Sequence, residues 1–122
     1  MRACKWLLAA SLMLAWLASG CGRAPLAASG NVLRVALSDY RLSPRDTHAD
    51  AGPLTILVHN YGRFPHNLAL SAGGHLLEET KPLWPGESAD LSVVLPRGKY
   101  LMASTLFSDQ ALGTFGTLNV FS

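Results

Sequence analysis

Cysteine is almost missing from this chain of 122 residues: the two present are Cys4 and Cys21. Beyond Cys21 there can be neither an internal disulfide nor a thiolate metal site. Charged residues are also scarce, at 15% of the sequence, and no basic run occurs. That excludes the electrostatic footprint of a nucleic-acid partner. No long window outside the N-terminus keeps a helical period, which argues against a bundle. There is one extended apolar run, Trp6 to Ala18, too short to span a bilayer comfortably.

That run has Arg2 and Lys5 before it and small residues after it, the charge layout of a secretory signal. It ends in Leu17-Ala18-Ser19-Gly20-Cys21, which resembles a bacterial lipobox. The resemblance implies that residues 1–20 are a helical signal peptide and that Cys21 becomes the acylated N-terminus, carrying palmitate-type chains. Each buried methylene then adds about 0.8 kcal/mol of membrane affinity, so several chains make release very slow. The expected partner is membrane lipid through Cys21, and the expected location is the cell envelope, exported and anchored without spanning. An ordinary signal cut near Cys21, giving a soluble exported protein, is the alternative. Removal of Arg2 and Lys5 leaves eight Lys plus Arg against eight Asp plus Glu, so the basic balance belongs to the precursor.

Residues 21–30 are small and unpatterned and read as the lipidated cysteine and a tether. Residues 31–122 carry the domain. Val32 to Leu37 alternates as a strand, 39–50 is polar with Pro44 and reads as a loop, and Leu54 to Asn60 is the clearest strand. Short strands follow around Leu68 to Leu70 and Leu76–Leu77. Pro85-Gly86-Glu87-Ser88 opens Leu91 to Leu95, and Arg97-Gly98-Lys99-Tyr100 opens the next strand. About seven short strands with turn signals between them favour an all-β sandwich.

Two stretches narrow this further. Asn60-Tyr61-Gly62-Arg63-Phe64-Pro65-His66-Asn67 is a strand end, a turn and a His-Asn pair opening a strand. The segment from Pro96 to Val120 is a turn, a strand, a loop and a closing strand, with Gly98, Tyr100, Gly113, Gly116 and Val120 at its fixed points. Both resemble the cupredoxins, the plastocyanin and azurin family. The resemblance implies a Greek-key β-sandwich or barrel and a tyrosine corner at Tyr100. It also makes His66 the upstream copper-ligand position and Asn67 the residue that tethers the two ligand loops. At the other ligand positions Ser104 stands for the Cys, Asp109 for the His and Thr114 for the Met, so these read as degenerate positions. A serine hydroxyl stays protonated at neutral pH and cannot replace the thiolate of a blue centre.

His66 then has two readings: a hydrogen-bonded polar residue near the rim, or the anchor of a non-blue Cu(II) or Zn(II) site with His59 and Asp109 as weaker candidates. His48 and His75 read as solvated, Met102 as core and Trp84 as partly buried. Ser104, His66 and Asp109 also supply the residue types of a nucleophile, base and orienter, without a nucleophile elbow. The reading adopted is a non-enzymatic, lipid-anchored binding or accessory module, with no cofactor needed. An envelope or respiratory complex is its partner class, and copper handling or electron transfer through a His66 site is the alternative.

Overall fold

A computed structural model describes residues 26–27 and 30–122. The expected signal peptide, Cys21 and most of the expected tether lie outside the described residues. Two sheets pack face to face. One has six strands in the order β1 (Leu26–Ala27), β4 (Asp46–Asp50), β10 (Phe115–Phe121), β9 (Gly98–Ala103), β6 (Ala69–Ala72), β7 (His75–Glu79). The other has four, in the order β3 (Arg41–Ser43), β2 (Val32–Ser38), β5 (Gly52–Asn60), β8 (Ser88–Leu95). The expected all-β sandwich is therefore what forms.

Alternation places the core. Leu33, Val35 and Leu37 of β2 and Leu54, Ile56 and Val58 of β5 point inward, at most 3% exposed. From the facing sheet come Leu70, Tyr100, Met102, Leu118 and Val120, and the two sets form one buried cluster. The Tyr100 hydroxyl donates to Pro96 O at 2.5 Å, the expected tyrosine corner. Met102 is fully buried, as a core thioether should be.

Four features depart from expectation. The described residues form ten strands where about seven were expected. The stretch 39–50 holds β3 and β4 where a loop was expected. Leu42, Thr47 and Ala49 are its buried residues; two of them are too small or too polar to signal a strand, and pairing with β10 and β2 decides the matter. Leu26–Ala27, inside the expected tether, pairs with Thr47 and His48 of β4. That pairing gives hydrogen-bond partners to a backbone edge. Trp84 is 64% exposed where partial burial was expected, because its neighbour Leu83 fills the interior slot.

Strand directions fix which loops meet. β2, β5 and β9 run toward one end of the sandwich, while β10, β4 and β6 start there. That end gathers Asp39, the 60–67 turn, residues 104–114 and the start of β10.

Candidate functional site

β2 and β5 pair in parallel with Leu37 opposite Asn60. Asp39, two residues past Leu37, therefore sits beside the turn that follows Asn60. Both Asp39 carboxylate oxygens accept from the Arg63 amide at 3.1 Å, and Oδ1 also accepts from the Phe64 amide at 3.4 Å. The turn is closed from the other side by Asn60. Its Nδ2 donates to Phe64 O and Leu83 O, each at 2.8 Å, and its Oδ1 accepts from Gly62 N at 2.8 Å. Gly62 has no room for a side chain: a Cβ there would clash with the Asp39 carboxylate and come within 2.9 Å of His66 Nε2.

His66 is held by a backbone bridge to Leu83 and is 1% exposed. Its Nε2 lies 2.9 Å from Asp39 Oδ1 and its Nδ1 lies 2.6 Å from Asp109 Oδ2. The ring thus stands between two carboxylates, one on each nitrogen. Ionised carboxylates only accept, so the arrangement that satisfies every atom has both ring N–H groups donating. Burial raises the Asp39 pKa, but the His66 hydrogen bond, the Arg63 and Phe64 amides and the imidazolium charge outweigh it and hold the carboxyl below its ordinary range. The Arg63 guanidinium, 3.8 Å from Asp39 and 89% exposed, adds little.

Asp109 opens a single turn of helix, α1 (Asp109–Leu112), inside what the sequence suggested was plain loop. The turn is closed by Gly113, whose φ of 126° favours glycine. Asp109 Oδ2 also accepts from the Ser104 hydroxyl at 2.6 Å. Ser104 is fully buried at the end of β9, and its oxygen accepts from the Asn67 amide at 3.2 Å. Asn67 reaches across in turn: its Oδ1 accepts from Thr105 N at 2.7 Å and its Nδ2 donates to Thr105 Oγ1 at 3.0 Å. The 65–67 and 104–105 segments are thereby joined. Thr114, fully buried, links to the same group through its amide on Asp109 O at 2.9 Å, but its Oγ1 has no partner among the described residues.

The structure therefore brings together His66, Asn67, Ser104, Asp109 and Thr114, and adds Asp39. His59 is elsewhere. It stacks on Tyr61 at 4.2 Å between ring centroids and bonds Ser88 Oγ through Nδ1, on the outer face of the four-stranded sheet. His48 contacts Phe121, and His75 is exposed on β7. Asp39 was the residue the sequence reading missed. Its signal is topological, since only the parallel β2–β5 register carries position 39 to position 66.

Nucleophile chemistry does not fit this order of contacts. A triad needs the imidazole between hydroxyl and carboxylate, whereas here the carboxylate of Asp109 lies between Ser104 and His66.

No protein-family model matches the chain, and a search of curated proteins found no sequence match. Solved structures do. Dithionite-reduced auracyanin from the photosynthetic bacterium Roseiflexus castenholzii superposes with a TM-score of 0.72 at 19% identity, over 78% of this chain and 99% of that one. The chain has the cupredoxin fold. Reduced rusticyanin gives a TM-score of 0.63 at 15% identity over 90% and 95% of the two chains. A purple cupredoxin from Nitrosopumilus maritimus gives 0.56 at 19% over 72% and 98%.

Copper is the group this fold suggests, and the donors present can be tested against it. A type 1 centre needs a thiolate and two imidazoles converging on one point. The described residues contain no cysteine. Both nitrogens of His66 face carboxylates, and the three groups lie in a row instead of around a centre. No group of three or more His, Cys, Asp or Glu among the described residues is arranged to hold a metal ion. The residues at this end of the cupredoxin fold do not fit a type 1 copper.

Proposed function

We propose that this chain is a cell-envelope lipoprotein, anchored through Cys21, whose cupredoxin-fold domain works as a non-catalytic binding or accessory module. The observation that carries the reading is the double engagement of His66. With Asp39 on one nitrogen and Asp109 on the other, both imidazole nitrogens are already hydrogen-bonded and neither faces open space where a metal could bind. Ser104 and Thr114 support the same reading, as hydroxyls in the positions that match a thiolate and a thioether. Electron transfer is then not its work. A membrane-bound envelope or respiratory complex is the class of partner that a tethered, rigid sandwich suits. No helix among the described residues is long and apolar enough to cross a membrane. The attachment proposed is through the lipobox-like Cys21.

Two measurements on protein purified from its own envelope test this. Intact mass should show cleavage before Cys21 with acyl chains attached, and elemental analysis should show no stoichiometric copper. A copper-loaded native protein would return the reading to copper handling at His66.

A further inference from the structure

The exposed aromatic side chains are distributed unevenly. Of seven among the described residues, six lie at the His66 end: Tyr40, Tyr61, Phe64, Trp84, Phe107 and Phe115. The seventh, Phe121, is at the far end of β10. Phe107 is 90% exposed, beyond anything burial in this domain could explain. It also has a positive φ of 53°, and the one other non-glycine residue with a positive φ among the described residues is Tyr40, at 64°. Bulky residues leave ordinary backbone space only where surrounding structure holds them there, and such positions gather at functional surfaces.

The chain path supplies the occupant. Leu26 of β1 pairs with Thr47, and Thr47 with Leu118. Phe115 lies three residues, about 10 Å, from Leu118 toward the aromatic end. β1 runs parallel to β4 and β10, away from that end, so the bond preceding Leu26 faces back toward it. Leu26 is five positions along the chain from Cys21, a reach of at most about 18 Å. An acylated Cys21 can therefore sit level with the aromatic rim or just past it.

We infer that this aromatic end lies against the lipid bilayer in which Cys21 is anchored, with its rings at the boundary between headgroups and acyl chains. The inference rests on the acylation proposed above. Trp and Tyr favour that boundary because their rings are apolar and their tips are not. Arginines at the rim suit the same position: Arg63 is exposed, and Arg45 lies with its guanidinium carbon 5.2 Å from the Phe115 ring centroid, where stems can pack apolar and heads meet lipid phosphates. The tether keeps the rim at high effective concentration over the surface, so individually weak ring insertions add to a fixed orientation. The His66 network then sits directly beneath a membrane-facing rim.

Trp84 is the built-in probe, since Trp6 and Trp16 leave with the signal peptide. The lipidated full-length product, checked by intact mass for acyl chains on Cys21, is reconstituted in phosphatidylethanolamine–phosphatidylglycerol vesicles with and without dibrominated acyl chains. The expected result is a blue-shifted Trp84 emission, quenched by the brominated lipid and protected from aqueous iodide. A Trp84→Phe, Val94→Trp variant, with its probe at the opposite end, should show the reverse. Trp84 open to iodide and untouched by lipid bromine on an acylated protein overturns the orientation and leaves the rim to a protein partner, with the anchor intact. An unacylated Cys21 overturns the anchor and this inference together.

Discussion

Asp109 Oδ2 lies 2.6 Å from His66 Nδ1, and the same oxygen takes the Ser104 hydroxyl at 2.6 Å. One buried carboxylate oxygen thus joins the two positions that the family resemblance matches to an imidazole and a thiolate. The loops that reach this end are tied together through that atom, through Asn67 and through the Asp39 carboxylate, and the group acts as a polar core for the end of the sandwich.

Removal of one partner should be costly for that reason. His66→Ala leaves two carboxylates without the ring between them, one of them buried, and should cost about 3–5 kcal/mol in urea unfolding. Asp109→Leu alone should be similarly harmful. The double variant His66→Phe, Asp109→Leu should be much less destabilised than the sum, because residues in one network are strongly coupled.

Acid sensitivity should follow Asp39. Its folded pKa is depressed, so its contribution is present above the unfolded carboxyl value of about 3.9 and is lost as the pH falls through the lower folded value. Stability measured by urea unfolding across the acid range should show this loss, and Asp39→Asn should flatten that limb. The same variant should cost about 1–3 kcal/mol at neutral pH, because charge-assisted hydrogen bonds from His66 and two amides are weakened.

Gly62→Ala should be more disruptive than a surface turn substitution has reason to be. The new methyl would collide with the Asp39 carboxylate and press on the His66 ring. The expected outcome is a loss of stability beyond the ~0.5 kcal/mol usual at exposed positions. Phe107→Ser, at 90% exposure, should stay within that range and serve as the control.

Ser104→Cys places a thiol where the family resemblance implies one. On its own it should not produce an intense visible absorption with Cu(II), because His66 remains engaged at both nitrogens and Asp109 supplies a carboxylate in place of a second imidazole. A strong charge-transfer band from that single variant would mean the frame is still poised for copper.

The sandwich was legible because its central strands are written in alternation: Leu33, Val35 and Leu37, then Leu54, Ile56 and Val58. Tyr100 and the Gly98 turn before it marked the corner. β4 was not legible, since Thr47 and Ala49 face inward and carry too little apolar surface to stand out. At the site, His66, Asn67, Ser104, Asp109 and Thr114 could be named from their matches to the family frame. Asp39 could not, because its contact with His66 comes from a parallel strand pairing that leaves no local pattern. His59 was only a weak candidate, since it alternates with the inward-facing Leu54, Ile56 and Val58, and that alternation does turn it to the outer face.

The central claim concerns the ring of His66, held by Asp39 and Asp109 and closed to metal. Titration of the purified wild-type protein with Cu(I) and Cu(II), followed by calorimetry and visible spectroscopy, tests it most directly. The expected result is no stoichiometric tight uptake and no intense visible band. Tight binding of one copper, abolished by His66→Ala, would contradict it.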